Sequence, residues 1–239
     1  LLDMVRASLI GAILANILLA LGVAFFLGGL RYRDQDYNPS AARVYSSMML
    51  IAVISLAVPS AFSRFFSSTE TIRQESLLNI GLAVVLLIAY VLYLIFMLKT
   101  HPGAFAANGS HVEEKAEGTH WSLSRAIGSL VGASLLAAWM SEILVGAAEG
   151  TGTALGMTQV FIGIVFVAIV GGAAESLSAI VMARKNRMDM TIGIALGSSI
   201  QIALFVAPVL VLASYFIAPQ PLELAFGRAE VGALFMAVL

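Results

Sequence analysis

The chain has 239 residues, of which 60% are hydrophobic and only 11% are charged, and its mean hydropathy is +0.96. This composition is typical of a membrane protein and excludes a soluble domain with a large core. The sequence contains no cysteine, which excludes disulfide and thiolate chemistry. A formal net charge of −1 argues against a nucleic-acid partner.

Seven apolar runs follow one another along the chain, and the first six are each long enough to cross a bilayer as a helix of roughly 20 residues. The runs cover about residues 7–30, 44–66, 77–98, 123–148, 156–183, 190–216 and 229–239. Because a chain in lipid must satisfy its own backbone hydrogen bonds, the runs predict an all-α polytopic membrane protein. The seventh run is short and the chain starts at Leu1 without a methionine, so we expect segments to be missing at both ends.

Basic residues are unequally distributed between the two sets of alternating loops. One set contains nine of the 13 Lys and Arg residues and the other contains four. The positive-inside rule therefore predicts that the loops 31–43, 99–122 and 184–189 are cytoplasmic. The loop 99–122 holds all three histidines and an acidic cluster. A cation-attracting or pH-sensing role is one interpretation, but the lack of a fixed metal-ligand spacing favours a solvated linker.

Glu175 is the residue that the sequence marks most strongly as functional. It lies inside the apolar run 156–183, and a carboxylate at membrane depth costs about 3 kcal/mol on insertion scales. Such a residue usually faces a partner, an ion or a water-filled cavity. The alternative is a glutamate near a helix end that reaches the headgroups. Eight further residues precede Arg184, which argues against that alternative.

An internal repeat relates the beginning of the chain to the residues from 189 onward. At an offset of 186 residues, Asp3 matches Asp189 and Gly11 matches Gly197. Five span boundaries separate the copies, so they enter the membrane from opposite sides, which is typical of the inverted-topology repeats of transporters. The same offset places the mate of Glu175 about a dozen residues before Leu1, where we expect a second intramembrane acid.

Each copy of the repeat carries an amide within its apolar run. These are Asn16 and Gln201, and buried amides need partners. Amide and hydroxyl oxygens, together with backbone carbonyls at a broken turn, are suited to coordinate a cation. Ordinary helix packing is the alternative explanation, and it suffices for Gly11 and Ala12 but explains the two amides less well.

Five motifs occur in order in the second half of the chain: Ser141-Glu142, Phe161-Ile162-Gly163, Gly171-Gly172-Ala173-Ala174-Glu175, Asp189, and Gly197-Ser198-Ser199-Ile200-Gln201. This order resembles the second conserved repeat of the calcium/proton exchangers (the CAX family) of the calcium/cation antiporter superfamily. The run from Gly11 that contains Asn16 resembles the end of the family's first repeat. Gly172 and Ser176 stand where the family commonly has Asn and His, and the first-repeat Gly-Asn-x-x-Glu motif is absent from this chain.

The resemblance implies two inverted-topology five-helix repeats with the ion site at the midplane. Residues 1–98 would belong to the first repeat, 99–122 to a linker, and 123–239 to the second repeat. It also implies alternating-access exchange of Ca²⁺ for H⁺, in which both ions compete for Glu175. Ca²⁺ is then a transported substrate, and we expect neither a cofactor nor an enzymatic activity.

The expected ion-site residues combine one carboxylate with amide, hydroxyl and backbone oxygens: Glu175, Gln201, Ser198, Ser199, Asn16, Gly171 and Gly172. Glu142 is a second acid of interest, either as a carboxylate on the proton path or as an interfacial residue that reaches water. A Na⁺-coupled Ca²⁺ exchanger is the nearest alternative function. A cation channel and an intramembrane enzyme are more distant ones, and a homo-oligomer in the bilayer is left open.

Overall fold

The computed structural model describes residues 2–65, 71–105, 121–218 and 220–239, without the side chains of residues 62–65 and 71–75. Within these ranges the chain is helical and contains no strand, which confirms the predicted all-α class. Five helices are long and apolar enough to cross a membrane, and a bent pair of helices forms a sixth span if it is counted as one. The six spans coincide with the first six apolar runs, so the chain is a multi-pass membrane protein.

The helices occur in the order α1 Leu2–Gly29, α2 Pro39–Phe65, α3 Thr71–Ile95, α4 Leu123–Ala154, α5 Gln159–Gly171, α6 Ala173–Arg184, α7 Met188–Ile217 and α8 Arg228–Val238. The described ranges contain four π turns, three within these helices and one directly after α3: Ala15–Ala20 in α1, Phe96–Thr100 after α3, Ile162–Val167 in α5 and Ile202–Val206 in α7. In a π turn the backbone hydrogen bonds span five residues instead of four, and such turns are frequent at functional sites.

The π turns of α1 and α7 lie at positions that the internal repeat relates, since the offset of 186 carries Asn16 onto Ile202. These helices are the first and the sixth of six consecutive spans, so they cross the membrane in opposite directions, as inverted repeats require. Pro208 follows the π turn of α7 and has no N–H to donate to the carbonyl of Leu204, which gives a local cause for the irregular turn.

The hydrophobic core lies between α1, α2, α3, α7 and α8. Its fully buried side chains include Ile10, Met49, Leu86, Leu204 and Leu234, one from each of these helices. By contrast, α4 packs against the π turn of α5, and none of its most apolar window is buried. The exposed apolar surface of α4 is consistent with a span that faces lipid or another part of the assembly.

A non-helical segment, residues 220–227, runs back into the protein between α7 and α8. Its Leu222, Leu224 and Phe226 side chains are buried, and their backbone N–H groups donate to side chains of three different helices. The acceptors are Ser214 Oγ at 2.7 Å, Asn79 Oδ1 at 3.4 Å and Ser60 Oγ at 2.7 Å. Irregular backbone is tolerated in a membrane protein only where protein groups or water satisfy it, and these polar side chains meet that requirement.

The described parts of the three loops predicted to be cytoplasmic meet at one end of the molecule. Asn38 donates its backbone N–H to Asp189 and its side-chain amide to the carbonyl of Ala104 at 2.9 Å. Gln35 Nε2 donates to the carbonyl of Ala183 at 2.9 Å. Most of the histidine-containing, acidic stretch of the loop 99–122 lies outside the described residues. The division into residues 1–98, 99–122 and 123–239 stays a prediction.

Candidate ion-binding site

A cavity of about 300 Å³ lies between α1, α5, α6 and α7. Its lining residues are Ser8, Leu9, Ala12, Asn16, Val167, Ala168, Gly171, Gly172, Glu175, Ser198, Gln201, Ile202 and Val206. The polar side chains among them are one carboxylate, two amides and two hydroxyls. They come from both copies of the internal repeat, since α1 belongs to one copy and α7 to the other.

Glu175 reaches this cavity because the fifth span is broken. The axes of α5 and α6 differ by 53° at Gly172, and Glu175 lies in the first turn of α6. The N-terminus of a helix carries a partial positive charge that favours a carboxylate. Glu175 is exposed and lines the cavity, so an ion or water can reach its side chain. The break therefore places a carboxylate at the cavity that also contains the two amides and the two hydroxyls.

Asn16 is the most constrained polar residue of the cavity. Its side chain is only 2% exposed, and its Nδ2 donates to Ser198 Oγ at 2.7 Å, which joins α1 to α7. Its Oδ1 is buried and accepts no hydrogen bond from any group in the described part of the chain. A buried acceptor without a partner costs about 1–3 kcal/mol. An oxygen in this situation is available to a cation or a water molecule.

Gly172 keeps the space around this oxygen open. A Cβ atom at position 172 would lie 3.5 Å from Asn16 Oδ1 and 3.2 Å from the carbonyl oxygen of Ala168. A side chain at position 172 would therefore extend from a point in contact with Asn16 Oδ1 and narrow the space in front of this oxygen. The amide that the resembling family commonly has at this position is absent here, and Asn16 supplies an amide oxygen next to the same place.

Two of the predicted residues lie elsewhere. Ser199 is fully buried outside the cavity lining and donates its hydroxyl to the carbonyl of Ala195 at 2.9 Å. Consecutive residues of a helix point about 100° apart, so the cavity that Ser198 faces is out of reach of its neighbour. Glu142 is exposed on α4 and is not among the residues that line the cavity. The other six predicted site residues all line it.

Ser8 is a polar lining residue that the sequence reasoning did not single out. It donates its hydroxyl to the carbonyl of Val5 at 2.8 Å. Ser8, Ala12 and Asn16 are spaced four residues apart, and this spacing puts them on one face of α1. Counting back from Asn16 in steps of four residues along the predicted helix would therefore have identified Ser8.

Two glycines set the distance between α1 and α5 beside the cavity. A Cβ at Gly11 would lie 2.6 Å from both Cα and the carbonyl oxygen of Ile164, and a Cβ at Gly163 would lie 2.6 Å from the carbonyl oxygen of Met4. The two backbones are therefore in direct contact, as is common where small residues mediate helix packing in membranes. This contact fixes the face of α1 that carries Asn16 relative to the fifth span.

The cavity contains a single carboxylate. In the described ranges there is no group of three or more His, Cys, Asp or Glu residues that could hold a metal ion. A hard cation bound here would depend on amide, hydroxyl and backbone oxygens in addition to Glu175, which is the mixture that Ca²⁺ sites use.

The model of the sodium/calcium exchanger protein family matches residues 2–99 and 125–239 of this chain. The Ca²⁺/H⁺ antiporter ChaA of Bacillus subtilis is 40% identical over 236 residues, which cover 98% of this chain and 66% of that protein. The Ca²⁺/H⁺ antiporter of Aphanothece halophytica is 37% identical over 257 residues, covering 100% of this chain and 66% of that protein. The solved structure of native YfkE superposes with a TM-score of 0.79 at 36% identity, over 99% of this chain and 65% of that one.

The chain thus spans about two thirds of the length of these relatives. The relatives are named as antiporters, which are transporters and not enzymes. The chain belongs to the sodium/calcium exchanger protein family, and within it to the calcium/proton exchangers that its motifs indicated.

Proposed function

We propose that the whole protein is a secondary active transporter that exchanges Ca²⁺ for H⁺ by alternating access. The observation that carries this proposal is the cavity in which Glu175 lies with the unsatisfied Oδ1 of Asn16, next to Ser198 and Gln201. The names of the relatives, Ca²⁺/H⁺ antiporters, support the choice of ions.

In this mechanism the Glu175 carboxylate binds either Ca²⁺ or a proton. Ca²⁺ prefers six to eight oxygen ligands at roughly 2.3–2.6 Å. Asn16 Oδ1, the Gln201 amide oxygen, the Ser198 hydroxyl and carbonyls near residues 171–172 are the further oxygens, and water and the second intramembrane acid expected from the repeat complete the shell. Protonation of the carboxylate removes its charge and weakens Ca²⁺ binding, while Ca²⁺ binding expels the proton.

Competition for one site becomes antiport if only loaded states switch between the two sides of the membrane. Inverted repeats supply two such states, because each half can adopt the arrangement of the other. We place the loops 31–43, 99–122 and 184–189 on the cytoplasmic side. The repeat-related π turns of α1 and α7 flank the proposed site, and they are irregular points at which the spans can change shape.

The test is uptake of radioactive Ca²⁺ into proteoliposomes that contain the full-length protein, under an imposed pH gradient or an imposed Na⁺ gradient. We expect uptake to follow the pH gradient and to fall to background in Glu175→Gln, which keeps the size of the side chain but cannot ionise. Glu149→Gln, on α4 outside the cavity, is the matched control and should transport normally. Normal transport by Glu175→Gln would contradict the proposal.

A Na⁺-coupled Ca²⁺ exchanger is the second candidate, favoured by the sodium/calcium exchanger family to which the chain belongs. Ile202 argues for proton coupling, since it lines the cavity at the position related by the repeat to Asn16 and brings no oxygen there. Uptake that follows only the Na⁺ gradient would select the second candidate. Uptake that needs no counter-ion gradient would indicate a channel.

A further inference from the structure

An apolar groove with a volume of about 560 Å³ runs along the outer surface between α2 and α3. Arg43, Ser47 and Ile51 line one wall at intervals of four residues, and Ala89, Tyr93 and Phe96 line the other. From residue 43 to residue 51 the wall is about 12 Å long, given a rise of 1.5 Å per residue. The groove is therefore an elongated slot parallel to the helices, and the lining residues Ile51, Leu92 and Phe96 are exposed along it.

The walls of the groove offer few polar atoms. The Ser47 hydroxyl donates to the carbonyl of Arg43 at 2.8 Å, and the Tyr93 hydroxyl donates to Met97 Sδ at 3.5 Å. These hydrogen bonds occupy the two hydroxyls within their own helices. The slot consequently fits a hydrocarbon chain.

One end of the groove is positively charged. Arg43 lies near the start of α2 and lines the groove together with Phe96, the first residue of the π turn after α3. Lys99 lies three residues further along the same turn. Both side chains are exposed, and neither forms an ion pair with a carboxylate in the described part of the chain. The ring of His101 stacks on Phe96 at a centroid distance of 4.3 Å and adds a third polar group at this end.

We propose that this groove is a specific binding site for an anionic phospholipid. One acyl chain lies in the slot, and the phosphate of the headgroup contacts Arg43 and Lys99. A lipid with an apolar tail and a negatively charged headgroup matches both the apolar slot and its positively charged end. A zwitterionic lipid matches only the apolar slot. An arginine guanidinium is well suited to bind a phosphate through two parallel hydrogen bonds.

The lipid would lie directly behind the ion cavity. Leu204 lines the groove and is fully buried in the π turn Ile202–Val206. Ile202 and Val206 of the same turn line the cavity that contains Glu175. An acyl chain in the groove would contact Leu204 of this π turn, so the lipid is positioned to influence the shape of the turn.

The experiment compares phosphatidylglycerol with phosphatidylcholine of identical acyl chains, bound to the purified full-length protein and counted by native mass spectrometry. The readout is bound lipid mass, so it does not depend on the proposed transport function. A basic side chain that contacts the headgroup adds a roughly five-fold preference for anionic lipid. We expect Arg43→Gln to lower phosphatidylglycerol binding about five-fold and the Arg43→Gln, Lys99→Gln double variant about 25-fold.

Arg33→Gln is the matched control, because it removes one exposed charge from the loop before α2 without touching the groove. It should retain the lipid. Ala89→Trp should exclude both lipids by filling the slot. If Ala89→Trp fails to fold, Arg43→Gln still tests the proposal, because Arg43 is exposed and its replacement does not disturb the core. Equal retention of the two lipids, or retention of phosphatidylglycerol by both Ala89→Trp and Arg43→Gln, would overturn the proposal. So would a dimer that forms through this groove and excludes lipid.

Discussion

Replacement of Gly11 by alanine tests the backbone contact that holds α1 against α5. The new Cβ would lie 2.6 Å from Cα and the carbonyl oxygen of Ile164 and 2.8 Å from Cβ of Ala168. Carbon atoms in proteins pack at about 3.5–4.0 Å, so the two helices would have to separate by about 1 Å. Two of the three atoms belong to the backbone, and no change of rotamer removes the overlap.

The expected cost follows from two opposing effects. Overpacking of this kind destabilises proteins by about 1–3 kcal/mol. Alanine is better than glycine within a helix by about 0.5–1 kcal/mol, which offsets part of the loss. The net change in the free energy of unfolding for Gly11→Ala is therefore a loss of about 0–2.5 kcal/mol, with a midpoint of about 1.2 kcal/mol. Gly163→Ala acts on the same interface, so the double variant should lose less than the sum of the two single changes.

The assay is thermal unfolding of the purified full-length protein in detergent. Gly81→Ala is the control, since Gly81 is exposed in α3 and a Cβ there meets nothing within 4 Å. It should unfold at the same or a slightly higher temperature than the unaltered protein. For a chain of this size each kcal/mol corresponds to about 2–4 °C. Both variants gain helix propensity but only Gly11→Ala is overpacked, by about 1–3 kcal/mol, so Gly11→Ala should unfold several degrees below Gly81→Ala. Equal melting temperatures for Gly11→Ala and Gly81→Ala would refute the close approach of the two backbones.

Three further predictions concern single polar groups. Asn16→Leu removes the unsatisfied Oδ1 together with the Nδ2 hydrogen bond to Ser198 Oγ. Relief of the unsatisfied acceptor, about 1–3 kcal/mol, outweighs the loss of one hydrogen bond, about 0.5–1.5 kcal/mol, so the Ca²⁺-free protein should be at least as stable as the original. The stabilisation by Ca²⁺, about 2.7 kcal/mol at a concentration of 100 Kd, should be lost in thermal unfolding. Ser214→Ala leaves the buried N–H of Leu222 without its acceptor and should cost about 1–3 kcal/mol in chemical unfolding, whereas Ser214→Thr should retain the bond. Asn186 has a φ of 60°, a left-handed conformation that is unfavourable for alanine and tolerated by glycine. Asn186→Ala should therefore lower the free energy of unfolding by about 1–2 kcal/mol, measured by thermal unfolding, and Asn186→Gly should lower it less.

The spans and the polar residues that line the cavity could be predicted from the sequence because each has a strong local signal. An apolar run long enough to cross a bilayer has few alternatives to a helix, and a carboxylate such as Glu175 within one needs a reason to be there. Asn16 and Gln201 were identifiable for the same reason. These inferences depend only on the cost of polar groups in lipid, which does not vary with the details of packing.

Features that depend on the direction of a side chain were harder to predict. Ser198 and Ser199 are identical in type and adjacent in sequence, and only the rotation of α7 decides that the first faces the cavity. The buried segment 220–227 gave no signal of its own, because Ser60, Asn79 and Ser214 look like ordinary small polar residues of helices until the backbone groups that they bind are known.

The proposed site is built from both copies of the repeat, so its geometry depends on how the copies pack. Asn16 is contributed by α1, whereas Glu175 and Ser198 are contributed by α6 and α7. Ca²⁺–oxygen distances vary over only about 0.3 Å, from 2.3 to 2.6 Å. A separation of α1 and α5 by about 1 Å at Gly11 exceeds that range, so we expect Gly11→Ala to lose stability and Ca²⁺ affinity together. Asn16→Leu removes a proposed ligand and the hydrogen bond to Ser198, but it leaves the contact between α1 and α5 intact, so it should lose the affinity without a loss of stability. If both variants lost only stability, the oxygen of Asn16 would be part of the packing and not of the ion site.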